Sequence, residues 1–202
     1  MRCLPLSHDD VQMKARLLHP SNGDSAAQCC DEKTVATFEQ AIQLAVQAHH
    51  GQRDKAGEPY ILHPLRVMQR METDWERIVA ILHDVVEDTP VTLADLRRAG
   101  FPQTVLTAVD CLTMREGENY DAFIQRAKAN PIARRVKMAD LEDNLDLNRL
   151  PRVTAADQKR LEKYQRALVA LRAAETDCAA QRGESCEMHA EANAEGNQPP
   201  IN

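Results

Sequence analysis

Aromatic side chains are scarce in this chain: one Trp, three Tyr and three Phe in 202 residues. That is too few rings to line a base-stacking platform for single-stranded nucleic acid. A basic excess is missing as well. The formal net charge is −6, whereas a general nucleic-acid binder carries a surplus of Lys and Arg. Cations that recognise phosphate should therefore be gathered in a pocket. No apolar run approaches the roughly 20 residues that span a bilayer, and Met1 to Leu6 lacks the apolar stretch of a secretory signal. The six cysteines, at 3, 29, 30, 111, 178 and 186, match no zinc-ligand spacing. They read as incidental thiols of a reduced, cytoplasmic protein, with a redox role for Cys29-Cys30 as the alternative. No stretch alternates with period two for long enough to make a convincing strand.

Helical periodicity fills the middle of the chain. Residues 1–32 are aperiodic, with His19 to Ser25 as loop and Asp10 to Leu18 as a candidate short helix. Residues 176–202 are rich in Glu, Ala, Asn, Gln and Gly, a polar composition expected to stay disordered. The folded unit is expected over 33–175. Phe38, Ile42, Ala45 and Val46 lie on one face of a first helix, and Gly51 to Tyr60 is a loop. Pro64 suits the first turn of a second helix carrying Leu65, Val67, Met68 and Met71. Asp74 can cap a third, in which Ile78, Ile81, Leu82, Val85 and Val86 follow helical spacing until Thr89-Pro90 stops it. Thr92 caps a short helix that Gly100 ends, and further helical patterns run over 102–114, 118–129, 132–146 and 154–174. The expected fold is all-α: seven or eight short helices, with no internal repeat.

The chemistry centres on His83-Asp84, inside the apolar stretch Ile78 to Asp88. An imidazole beside a carboxylate can share one divalent ion, and Glu87 and Asp88 follow one turn later. His63, fixed at a loop-to-helix entry by Pro64, and Asp140 are the candidate further ligands. Taken alone, a His before Pro is a loop residue and an Asp in a charged helix faces solvent; the case rests on the set. Two histidines and two carboxylates suit Mn²⁺, Fe²⁺ or a similar ion with positions left for water, and the absence of thiolates argues against structural zinc. Glu87 and Asp88 sit at a helix end that the dipole disfavours for acids, which marks them as an acid/base pair. Lys137, Asp140 and Asn144 can share one helix face. His49 and His50 read as structural, and Met68, Met71 and Met138 as core filler.

Three blocks resemble a known family. They are His49-His50-Gly51-Gln52-Arg53-Asp54-Lys55-Ala56-Gly57-Glu58-Pro59-Tyr60-Ile61-Leu62-His63-Pro64, then Leu82 to Thr89, then Val136-Lys137-Met138-Ala139-Asp140 with Asn144. In this order they resemble the hydrolase domain of the RelA/SpoT homologues, in the HD phosphohydrolase superfamily, over about 34–170. The resemblance implies a compact multi-helix HD fold and a stand-alone small alarmone hydrolase. Its expected activity is Mn²⁺-dependent removal of the 3′-pyrophosphate of ppGpp or pppGpp, giving GDP or GTP and pyrophosphate. By position, His63, His83, Asp84 and Asp140 match the metal ligands, and Glu87 and Asp88 the acids beside the attacking water. Asn144, Arg160 and Tyr164 match substrate-contacting residues, and Arg53, Lys55 and Lys137 are further cations for a polyanion.

The sequence also departs from the family. Asp54 stands where the long enzymes carry a purine-contacting Arg, and Leu141 and Asp146 stand at two other Arg positions. An adenine alarmone such as ppApp or pppApp, another nucleotide such as NADPH, and a non-catalytic alarmone-binding module are the alternatives. The expected partner is a small nucleotide, with no nucleic acid and no membrane, in a monomer or homodimer.

Overall fold

In the computed structural model of the protein, residues 36–147 and 154–194 are described, from 177 onward as backbone alone. They form α1 (Phe38–Ala48), α2 (Leu62–Met68), α3 (Asp74–Leu82), α4 (Val85–Asp88), α5 (Leu93–Arg98), α6 (Gln103–Leu112), α7 (Tyr120–Ala129), α8 (Pro131–Leu145) and α9 (Ala155–Ala194). Among the described residues there is no strand, only an isolated bridge between Arg53 and Pro59. The all-α expectation holds.

Helix starts follow the caps. Thr37, Thr73 and Thr92 each accept from the N–H three residues on, while Gln40, Glu76 and Asp95 reach back to the cap N–H. Thr73, not Asp74, is thus the cap of α3; Asp74 is its first residue. Asn119 and Asn130 cap α7 and α8, the latter with Pro131 in the first turn. Gly100, at φ 93°, takes the left-handed turn after α5.

Helix α3 is the axis of the core. Ile78, Val79, Ala80, Ile81 and Leu82 are all buried, because α1, α2, α6 and α8 pack around it. The expected face of α1 is rotated: Ala41, Leu44, Ala45 and Ala48 are buried, and Val46 is 46% exposed. A second apolar cluster joins Phe123 and Ile124 of α7, Leu141 of α8, and Ala167, Leu168 and Leu171 of α9, with Met138 against it. Met68 and Met71 belong to the main core, as expected.

One expectation is corrected. The apolar pattern from Ile78 to Val86 is not a single helix: α3 ends at Leu82 and α4 begins at Val85, so the chain breaks at His83-Asp84. Periodicity could not reveal this, since His83 keeps helical dihedrals and Asp84 stays near them (φ −98°, ψ −6°). The other end also differs, as the backbone of α9 runs to Ala194, past residue 175. The expected 1–32 extension, with its short helix over Asp10 to Leu18, lies outside the described residues. No described helix is long and apolar enough to cross a membrane.

Candidate metal centre

Four segments meet at one point. The loop before α2 supplies Tyr60, and α2 supplies His63. The break between α3 and α4 supplies His83 and Asp84, and the middle of α8 supplies Asp140. The loop is stiff: Asp54 accepts from the N–H groups of Ala56 and Glu58 at 2.9 Å each, and Gly57 takes φ 86°. Gln52 ties it to the site by donating to the Asp88 carbonyl at 3.0 Å. His49 packs structurally, its Nδ1 bonding Gln52 Oε1 at 2.8 Å.

The imidazoles are oriented from behind. His63 Nδ1 lies 2.7 Å from Asp143 Oδ2, and His83 Nδ1 lies 2.7 Å from the Ala80 carbonyl. Carboxylate and carbonyl oxygens only accept, so Nδ1 donates in both rings and Nε2 faces inward. Arg66 in turn holds Asp143 with bonds of 2.7 and 3.1 Å. This is the outer arrangement that fixes histidine ligands around a metal.

Facing inward, His63 Nε2 is 3.1 Å from Asp140 Oδ1 and 3.6 Å from Asp84 Oδ2. His83 Nε2 is 3.0 Å from Asp84 Oδ2 and 3.8 Å from Asp140 Oδ1. One donor atom each from His63, His83 and Asp140 falls within 4.8 Å of the others. His83 Nε2 is buried without a hydrogen-bond partner. A buried nitrogen set between two carboxylates, with no well-aligned hydrogen bond to either, is what a cation-holding set requires. These side chains fit a divalent metal with mixed nitrogen and oxygen ligands. Asp84 precedes α4 as its N-cap residue yet its side chain makes no capping bond, so its carboxylate stays turned to the site.

The acids are bound from outside the centre as well. Lys137 donates to Asp140 Oδ2 at 2.8 Å and Asn144 to Asp140 Oδ1 at 2.6 Å, so the expected shared face of α8 is real. Tyr60 donates to Asp84 Oδ2 at 2.6 Å and lies 3.2 Å from Asp88 Oδ2. Burial, then the charges of Asp84 and Glu87, raise the Asp88 carboxyl to about 6. Burial opposes charge on His83, but Asp84 and Asp140 outweigh it and raise the imidazole well above its ordinary value. His63 is raised too: burial opposes it, and the bonds to Asp140 and Asp143 prevail. Burial would raise Asp84 and Asp140; His83 lowers the first, and Lys137 with the two imidazoles lowers the second.

Not every expected residue stands at the centre. Glu87 is exposed, and its Oε2 accepts from the Met114 N–H at 3.1 Å, whereas Asp88 lies beside Asp84 through Tyr60. Arg53 is exposed and donates to the Gly57 carbonyl at 2.8 Å, inside its own loop. Lys55 and Arg160 both reach Asp157 Oδ1, at 3.0 and 3.3 Å. Tyr164 stacks on Tyr120 with ring centres 6.3 Å apart. Leu141 faces the α7–α9 cluster, so its apolar character does not alter the centre. Sequence reasoning missed Tyr60 and Asp143. Neither stands out locally: Tyr60 lies in the loop before α2, and Asp143 is one of several acids on α8.

Comparison with known proteins places residues 41–174 in the HD domain family. The Escherichia coli bifunctional (p)ppGpp synthase/hydrolase SpoT is 33% identical over 129 residues, 56% of this chain and 18% of that protein. The Vibrio cholerae guanosine-3′,5′-bis(diphosphate) 3′-pyrophosphohydrolase is 39% identical over 97 residues, 46% of this chain and 14% of that protein. This chain thus spans less than a fifth of the curated relatives it matches. A solved structure of a metazoan orthologue of SpoT, described as hydrolysing ppGpp, superposes with TM-score 0.58 at 24% identity, covering 78% of this chain and 99% of that one. It shows the shared fold.

Two outcomes follow from this geometry. Asp143→Ala removes the acceptor that fixes the His63 ring, and metal affinity should fall about 10–100-fold by calorimetric titration. Raised imidazoles are protonated near neutrality without metal, and a ligand histidine must be neutral. Adding Mn²⁺ to chelator-treated protein at pH 6.5 in dilute buffer should therefore release about one to two protons per ion, counted with an indicator dye. The same raised values stabilise the metal-free fold below the unfolded pKa of about 6.5. That contribution is lost as pH rises through the folded values.

Proposed function

The chain belongs to the HD-domain family, and on that footing we propose that it hydrolyses the 3′-pyrophosphate of (p)ppGpp, releasing GDP or GTP and pyrophosphate. The observation that carries this reading is the convergence of His63, His83 and Asp140 donor atoms within 4.8 Å, with Asp84 beside both imidazoles. We assign these four as ligands of one divalent ion, Mn²⁺ in the first instance. Such an ion, when bound, makes water a nucleophile near neutral pH and offsets charge on phosphoryl oxygens.

The side chains divide the remaining work. Asp88, its carboxyl raised to about 6 in part by the charge of Glu87, is poised to take a proton from the attacking water. Tyr60 holds Asp84 and Asp88 in one arrangement by its hydroxyl. Lys137 and Asn144 hold Asp140, and with Arg53, Lys55, Arg160 and Tyr164 they are assigned to the nucleotide. The working unit is 33–175, in a cytoplasmic monomer or homodimer.

The full chain with Mn²⁺ should release pyrophosphate from ppGpp. His63→Ala and Asp84→Asn should lose bound metal and turnover together. Turnover of ppApp or NADPH alone would reassign the substrate. Nucleotide binding with no cleavage under any divalent metal would make the protein a binding module.

A further inference from the structure

A second group of polar side chains beside the centre is only partly accounted for. Tyr120 opens α7; Arg160, Lys163 and Tyr164 lie on α9, which packs against α7 and α8. Lys163 Nζ sits 4.0 Å from the Tyr120 ring centre and 5.5 Å from that of Tyr164. The Arg160 guanidinium lies 5.8 Å from the Tyr164 ring centre. Lys137 links this wall to the metal centre: its Nζ is 2.8 Å from Asp140 Oδ2 and 4.9 Å from the Phe123 ring centre.

The charges here do not balance. Lys137 is matched by Asp140, and Arg160 shares Asp157 with Lys55. Among the described residues Lys163 has no carboxylate partner. Aromatic faces stabilise an ammonium only in part, and burial together with the charges of Lys137 and Arg160 holds Lys163 below its ordinary value. Two buried donors beside it are also unsatisfied, the Tyr120 hydroxyl and Arg160 Nε. A buried donor left unbonded is destabilising. An anion against this wall would balance the unmatched cation.

We propose that Lys163, Tyr120 and Arg160 form an anion subsite on the α7–α9 wall for the phosphate group of the nucleotide that is not cleaved. The proposal rests on the hydrolase reading above, under which that group is the 5′-diphosphate of ppGpp. Lys163 and Tyr120 then select nucleotides phosphorylated at two positions.

The test uses the full chain with Mn²⁺ and the variants Lys163→Met, Lys163→Arg and Tyr120→Phe. Lys163→Met should raise KM for ppGpp roughly tenfold, the size expected for one lost bond to a charged group, with kcat little changed. KM for guanosine 3′-diphosphate, which lacks 5′-phosphates, should not move. Lys163→Arg should keep most of the wild-type KM, which separates lost charge from lost folding, and Tyr120→Phe should give a smaller increase. Equal effects on both substrates, or none on either, overturn the subsite.

Binding of GDP, measured by calorimetry, is independent of turnover. If no nucleotide is cleaved yet GDP binding weakens in Lys163→Met and survives in Lys163→Arg, the subsite stands and the hydrolase reading falls. GDP bound equally by wild type and Lys163→Met overturns the subsite whatever the turnover. Loss of inorganic pyrophosphate binding alone also overturns it, by showing that the wall holds the cleaved group.

Discussion

Three carboxylates, Asp140 and Asp143 buried and Asp84 partly buried beside them, meet among the helices, and the arrangement around them is dictated by their charge. An ion in such a place costs several kcal/mol unless partners meet it with good geometry. Arg66 and His63 meet Asp143; Lys137 and Asn144 meet Asp140; His83 and Tyr60 meet Asp84. These partners come from α2, α8, the α3–α4 break and the loop before α2, so charge compensation also fixes how those elements pack. Both imidazoles are pinned through Nδ1 by groups that can only accept. Their Nε2 atoms are left to face the carboxylates, and a divalent ion would replace two protons there.

The break at His83-Asp84 makes this possible. A continuous helix would use every backbone group and turn adjacent side chains about 100° apart. Ending α3 at Leu82 and restarting at Val85 lets His83 stay buried while Asp84, not used as a cap, turns to the same centre. The buried axis of α3 anchors the break, with Ile81 and Leu82 fully enclosed just before it.

Much of this was legible in the residues. The cap Thr92 and the breaker Gly100 mark element ends through local chemistry, and these ends lie where local chemistry sets them. The set His63, His83, Asp84 and Asp140 was readable from the His83-Asp84 pair together with the family resemblance of the three blocks. What was not legible depends on tertiary contact. Asp143 looks like one more acid in a charged stretch until α2 brings His63 and Arg66 against it. Glu87 and Asp88 are equivalent in sequence, yet one reaches Met114 and the other Tyr60. Val46 fits the apolar stripe of α1, but the neighbours of α1 cover only its alanine-rich side.

The central claim is that four side chains hold one ion. Crystals of the full chain grown with Mn²⁺ and measured at the manganese absorption edge test it directly. A single strong anomalous peak enclosed by His63 Nε2, His83 Nε2 and the carboxylates of Asp84 and Asp140 is the predicted result. Manganese bound elsewhere, with no peak among those four, would contradict the account.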